Sequence, residues 1–217
     1  MVKEPQSLVP LPPLSLSNPN ILSLQTNEVL HRIHDRTLRG NSFNPCKGGP
    51  TRFAPLFDAS RKCVPSLYAA KSVEAAAFET LFHDIPPTAN RKSVLRESIE
   101  LRNHSTLMVR RPLRLARLHA PDLMKWEILR DQLLGSLPTQ YDRTVKWAEA
   151  IHAQFSDVEG LIWTSNKYDE ESALLLFGDR VSEMDIQVVA VRKGSDFSFV
   201  HDVREAGRRA AILISIE

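Results

Sequence analysis

Two unbroken apolar runs, residues 160–165 (GLIWTS) and 173–177 (ALLLF), lie close together in the second half of the chain. Ser165 ends the first and Gly178 ends the second, so both read as buried strands that need cover from the rest of the fold. Shorter strand patterns precede and follow them at residues 29–34, 66–70, 106–110, 114–118 and 186–191, and residues 211–216 predict a closing strand. Helical spacing appears between them. Residues 73–83 predict a helix capped by Ser72 and stopped by Pro86-Pro87, and residues 121–134 and 200–210 predict two more. A clearer helix over 142–155 would be capped by Asp142 and lined by Val145, Ala148, Ile151 and Phe155. Strands and helices are interspersed without strict alternation. That predicts an α+β fold with a mixed sheet and flanking helices, not a regular parallel doubly wound sheet.

With 217 residues the chain can bury its own core without staples. Residues 1–25 carry Pro5, Pro10, Pro12, Pro13 and Pro19 and read as an extended N-terminal arm; residues 26–217 read as one catalytic domain. The net charge of +2 gives no general attraction to nucleic acid, so direct nucleic-acid binding is not expected and an anion site must come from a few placed arginines. Arg102, Arg110, Arg111, Arg114 and Arg117 form a basic stretch with no acid among them, read as a solvated strand face, and residues 168–171 read as an exposed acidic loop. The two cysteines, Cys46 and Cys63, form no CxxC pair; they suit a reducing cytoplasm, and no disulfide is required of them. No apolar run is long enough for a membrane span, and the proline-rich start does not read as a secretory signal. His31 and His34 lack an evident third ligand, so no metal is expected.

The signatures of P-loop NTPases, Rossmann dehydrogenases, zincins and α/β-hydrolases are all absent. What remains is an ordered set: Arg32, Arg52, Tyr68, Glu79 and Ser165. Arg52 lies in a turn-rich stretch, residues 39–66, of a length usually kept for function. Taken singly, each has a bland reading. Arg32 is an exposed strand residue, Tyr68 a core residue, Glu79 with His83 a helix-surface pair, and Ser165 a strand-end cap.

Taken in order, the blocks HRIHDRTLRGNSFNP, GGPTRFAP, SLYAAKSVEAAAFETLFHD and GLIWTSN resemble the RES-domain family, over roughly residues 29–180. The family's first-strand arginine corresponds to Arg32, its loop arginine to Arg52, its tyrosine to Tyr68, its helix glutamate to Glu79 (with His83) and its serine to Ser165. Two departures stand in the loop block. Gly-Gly-Pro-Thr-Arg replaces the commoner Gly-Gly-Arg, and Phe53-Ala54 replaces tryptophan-asparagine. The resemblance implies a fold similar to diphtheria-toxin-like ADP-ribosyltransferases and an enzyme that takes NAD+ as substrate, without metal. It implies cleavage of the nicotinamide–ribose bond by hydrolysis or phosphorolysis, or transfer of ADP-ribose to a protein. It also implies a cytoplasmic toxin whose active site is covered by an Xre-like antitoxin. A non-catalytic interaction protein on the same fold is the other reading, and self-association as a homodimer is compatible with both.

The residue chemistry agrees with that expectation. Arginine forks bind pyrophosphate oxygens in pairs, which suits Arg32 and Arg52. Nicotinamide leaves as a neutral ring while the ribose becomes oxocarbenium-like, and the Glu79 carboxylate can stabilise that cation or activate a water. Tyr68 offers a ring face and a hydroxyl, and Ser165 a polar contact.

Overall fold

The computed structural model describes residues 8–215. Its elements in chain order are β1 (Ile21–Leu24), β2 (Val29–Asp35), β3 (Leu56–Phe57), β4 (Cys63–Val64), β5 (Ser66–Ala70), α1 (Val73–Thr80), β6 (Ser93–Leu95), α2 (Arg96–Glu100), β7 (Arg102–Val109), β8 (Leu113–Arg117), α3 (Ala120–Met124), α4 (Arg130–Leu133), α5 (Tyr141–Gln154), β9 (Gly160–Thr164), β10 (Ser172–Phe177), β11 (Ile186–Lys193), α6 (Phe197–Arg209) and β12 (Leu213–Ser215). Eight strands form one sheet in the order β1-β8-β9-β10-β5-β2-β7-β11. Its pairings are antiparallel except for β8 with β9, so the sheet is mixed and the fold is α+β, as the element pattern predicted.

Side-chain alternation along the strands sorts the core. Trp163, Ala173, Ala70 and His31 stand in one row across β9, β10, β5 and β2, on one face of the sheet. Toward β9 that face is covered by Trp147, Ala148 and Ile151 of α5. Toward β2 it is covered by α1 and α6 through Ala75, Ala76, Ala77, Phe199 and Val203. The small residues of α1 let the helix lie close to the sheet. The opposite face buries Leu30, Leu67, Leu107, Ile162, Leu174 and Leu176.

One irregularity in the sheet positions the site. β2 stays paired with β7 along its whole length but meets β5 only at His31↔Ala70. Continued pairing would have set Ile33 against Tyr68 and Asp35 against Ser66. The two strands part instead, and Ser66 exchanges both of its backbone hydrogen bonds with Asn44 in place of Asp35.

Several local features differ from the sequence reading. Residues 121–134 form two short helices, α3 and α4, because Glu127 between them has φ 56°, in the left-handed region that ends a right-handed helix. α5 begins at Tyr141, so Asp142 sits in its first turn instead of capping it. Ser72 does cap α1, accepting from the Ala75 amide at 3.1 Å. That helix stops at Thr80, and Lys167 Nζ takes the carbonyls of Phe82, His83 and Ile85 beyond it. β12 pairs in parallel with β6 in a small separate sheet. Residues 21–24 of the proline-rich stretch form the edge strand β1 on β8. Ahead of them the chain is tied down by indole donors: Trp147 Nε1 to the Pro10 carbonyl at 2.8 Å and Trp126 Nε1 to the Ser17 carbonyl at 2.9 Å.

Cys46 and Cys63 are joined in a disulfide, which the sequence reading did not require. The β3–β4 hairpin and the Asn44↔Ser66 bridge fold residues 44–66 back on themselves and bring the two positions together. Four of the five arginines of the basic stretch are answered by acids from other elements. Arg102 pairs with Asp35 at 3.8 Å, Arg111 with Glu159 and Asp185 at 2.5 and 2.9 Å, Arg114 with Asp157 at 2.8 Å, and Arg117 with Asp122 at 3.4 Å. No helix among the described residues is long and apolar enough to cross a membrane.

Candidate functional site

A cavity of about 390 Å³ lies where β2 and β5 part, and its wall includes Arg32, Arg52, Tyr68 and Glu79. Four of the five sequence-selected residues therefore share one space, though they come from β2, the 46–63 loop, β5 and α1.

Arg32 is only 7% exposed, not the surface residue its bland reading would make it. Its Nη1 donates to the carbonyls of Gly40 (2.8 Å) and Ser42 (2.7 Å), which fixes the guanidinium plane. Burial draws its pKa down to about 10, so it stays charged at neutral pH. The turn that supplies those carbonyls needs its glycine: a Cβ on Gly40 would lie 2.3 Å from Ser105 Oγ. Ser105 Oγ in turn lies 2.8 Å from Nε2 of His34, another cavity residue.

Arg52 sits on the loop closed by the disulfide. Its Nε is buried without a hydrogen-bond partner among the described residues, and its guanidinium carbon stands 5.7 Å from the centre of the Tyr141 ring. Neither Arg32 nor Arg52 has a carboxylate within ion-pair distance among the described residues. Two cations without anions among the described residues, one carrying an orphaned buried donor, make a site that can accept an anionic ligand.

Glu79 faces the same space from the last turn of α1. Its Oε1 accepts a 2.6 Å hydrogen bond from Ser165 Oγ. Ser165 is fully buried and does not line this cavity; its hydroxyl bonds Glu79, which does. His83 lies on the wall but does not pair with Glu79; its Nε2 is 3.0 Å from Asp84 Oδ1. The Tyr68 hydroxyl accepts from the Phe53 amide at 3.0 Å and stands 2.9 Å from Thr51 Oγ1. Burial pushes its pKa up to about 12, so the phenol is neutral.

Sequence reasoning missed Thr51, Tyr141 and Trp163, which also line the cavity. Trp163 is fully buried edge-on against Tyr68 and Phe53, and its Nε1 has no hydrogen-bond partner among the described residues. Nothing in a single sequence separates this indole from an ordinary core side chain. A larger cavity, about 990 Å³, adjoins the first at Arg52, His83 and Tyr141, with Phe78, Phe82 and Ile212 on its wall. His31 belongs elsewhere. Arg192 Nε donates to His104 Nδ1 at 3.1 Å, which leaves the His104 proton on Nε2, 3.1 Å from His31 Nδ1. Among the described residues no group of three or more His, Cys, Asp or Glu side chains is placed to hold a metal ion.

The arrangement can hold a polyanion on two arginines and present a carboxylate, held by a buried hydroxyl, to a developing positive charge. A family model described as the RES domain matches residues 29–202. Among solved structures, the chain is similar to one from the M. tuberculosis MbcT–MbcA toxin–antitoxin complex, with a TM-score of 0.60 and 15% identity over 84% of this chain and 92% of that one. No curated protein is significantly similar.

Proposed function

The chain belongs to the RES-domain family, and from that premise we propose that it is an NAD+-consuming toxin that cleaves the nicotinamide–ribose bond. The observation that carries this reading is the convergence of Arg32 and Arg52, both without anionic partners among the described residues, with the Ser165-held carboxylate of Glu79 on one cavity. The arginines hold the pyrophosphate. Glu79 stabilises the oxocarbenium-like ribose as neutral nicotinamide departs, or activates the water or phosphate that replaces it. The Tyr68 ring walls the space beside them.

The structural relative comes from a toxin–antitoxin complex. By analogy, an antitoxin of the Xre-like type covers the cavity mouth of this chain and shuts out NAD+, and the pair acts in the cytoplasm, where NAD+ is abundant. A second reading, transfer of ADP-ribose to a protein, is favoured by the larger cavity that meets the first at Arg52, since it leaves room for a bulky acceptor.

The deciding experiment incubates the purified chain, freed of any partner, with NAD+ in the presence and absence of phosphate. Nicotinamide plus ADP-ribose supports hydrolysis, and a phosphate-dependent ADP-ribose phosphate supports phosphorolysis. Unchanged NAD+ with label transferred from NAD+ to cell proteins supports the second reading. NAD+ binding that survives Arg32→Ala, with no turnover of any kind, would overturn both in favour of an interaction protein.

A further inference from the structure

We propose that the Tyr68 hydroxyl and Thr51 form a clamp that sets the position of Arg52, so that Tyr68 serves through Arg52. The inference rests on the NAD+ reading for its ligand but on geometry for its mechanism.

The contacts around Arg52 lead to it. Thr51 Oγ1 has three neighbours: the Ala54 carbonyl at 2.9 Å, the Ala54 amide at 3.2 Å and the Tyr68 hydroxyl at 2.9 Å. The Ala54 carbonyl also accepts from the Thr51 amide at 2.6 Å, so either hydroxyl can donate across the Thr51–Tyr68 contact. In both cases the Tyr68 hydroxyl bonds Thr51 Oγ1 while accepting from the Phe53 amide. It is tied to the residues immediately before and after Arg52.

From the other side, Thr144 Oγ1 of α5 donates to the Arg52 carbonyl. The Arg52 backbone is thus gripped at residues 51, 52 and 53. Its side chain stands over the Tyr141 ring, with Nε unpartnered among the described residues.

The test is a double-mutant cycle read by NAD+ binding in calorimetry, with amide exchange at Phe53 as a ligand-free readout. Tyr68→Phe keeps the ring, and Thr51→Val keeps the shape. Each should weaken binding roughly threefold to tenfold, the range of one net hydrogen bond. Thr51→Ser retains the hydroxyl and should restore affinity. In an Arg52→Ala background, Tyr68→Phe should cause little further loss, because the clamp then has nothing to position. Equal weakening in both backgrounds, or none in either, would overturn the proposal. If the unaltered protein binds no NAD+, the functional reading falls and the clamp is judged by exchange alone. Faster exchange of the Phe53 amide in Tyr68→Phe supports it, and unchanged exchange refutes it.

Discussion

Replacing Ser165 with alanine removes a hydroxyl that has no exposed surface and one short bond, 2.6 Å, to Glu79 Oε1. Hydrogen bonds to a charged partner contribute about 1.5–3 kcal/mol. If that energy serves to hold the carboxylate against the developing cation, its loss raises the barrier by a like amount. At about 1.4 kcal/mol per factor of ten, kcat should fall roughly 10- to 150-fold. Because Ser165 lies outside the cavity wall, KM should hold within about twofold, the pattern of an interaction made only in the transition state. In a Glu79→Gln background the same change should add little, since both substitutions disable one unit. Nicotinamide release under steady-state conditions measures all four corners of this cycle, with circular dichroism to confirm folding. A Ser165→Ala protein with unaltered kcat would refute the reasoning. So would a raised KM at constant kcat, which would mean the hydroxyl contributes to ground-state binding.

Reducing the Cys46–Cys63 bond, which spans 17 residues, should lower stability by about 3 kcal/mol, seen as a drop in the urea midpoint that Cys46→Ser/Cys63→Ser reproduces; equal midpoints would show the loop is held without it. His104 is drawn down from 6.5 to about 3, first by burial and then by Arg192. Between those values the unfolded chain binds a proton that the folded chain refuses, so stability from this group is complete above pH 6.5 and lost as the pH falls toward 3. His104→Gln keeps an acceptor for Arg192 and should flatten that part of the stability curve; a curve parallel to wild type would contradict the assignment. Gly160→Ala should cost upward of about 3 kcal/mol or abolish soluble expression, because the added Cβ would sit 2.2 Å from the Leu175 carbonyl in the middle of the sheet; a wild-type melting temperature would refute this.

The strands at 160–164 and 172–177 were legible because an apolar run bounded by a turn residue has few alternatives to a buried strand. Ser72 marked the start of α1 by its capping chemistry. The order of Arg32, Arg52, Tyr68, Glu79 and Ser165 was legible as a family pattern, and four of the five meet on one cavity. Other features were not legible, because they arise between segments distant in the chain. Ser165 was read as a possible ligand contact, yet the packing of α1 on Ala70 and its neighbours puts Glu79 between it and the cavity. The helix predicted over 121–134 failed at a single left-handed residue, Glu127.

The sequence by itself determined the types of the main strands and helices, the α+β class and the candidate residues for the site, because periodicity, capping and side-chain type are local properties. Tertiary structure decided where β2 and β5 part, which arginines lack acids, that Cys46 meets Cys63, and that the Tyr68 hydroxyl is turned toward the Arg52 loop. Each of those depends on which distant backbone or side-chain atom arrives within hydrogen-bonding distance, and only the packed sheet with its covering helices sets those distances.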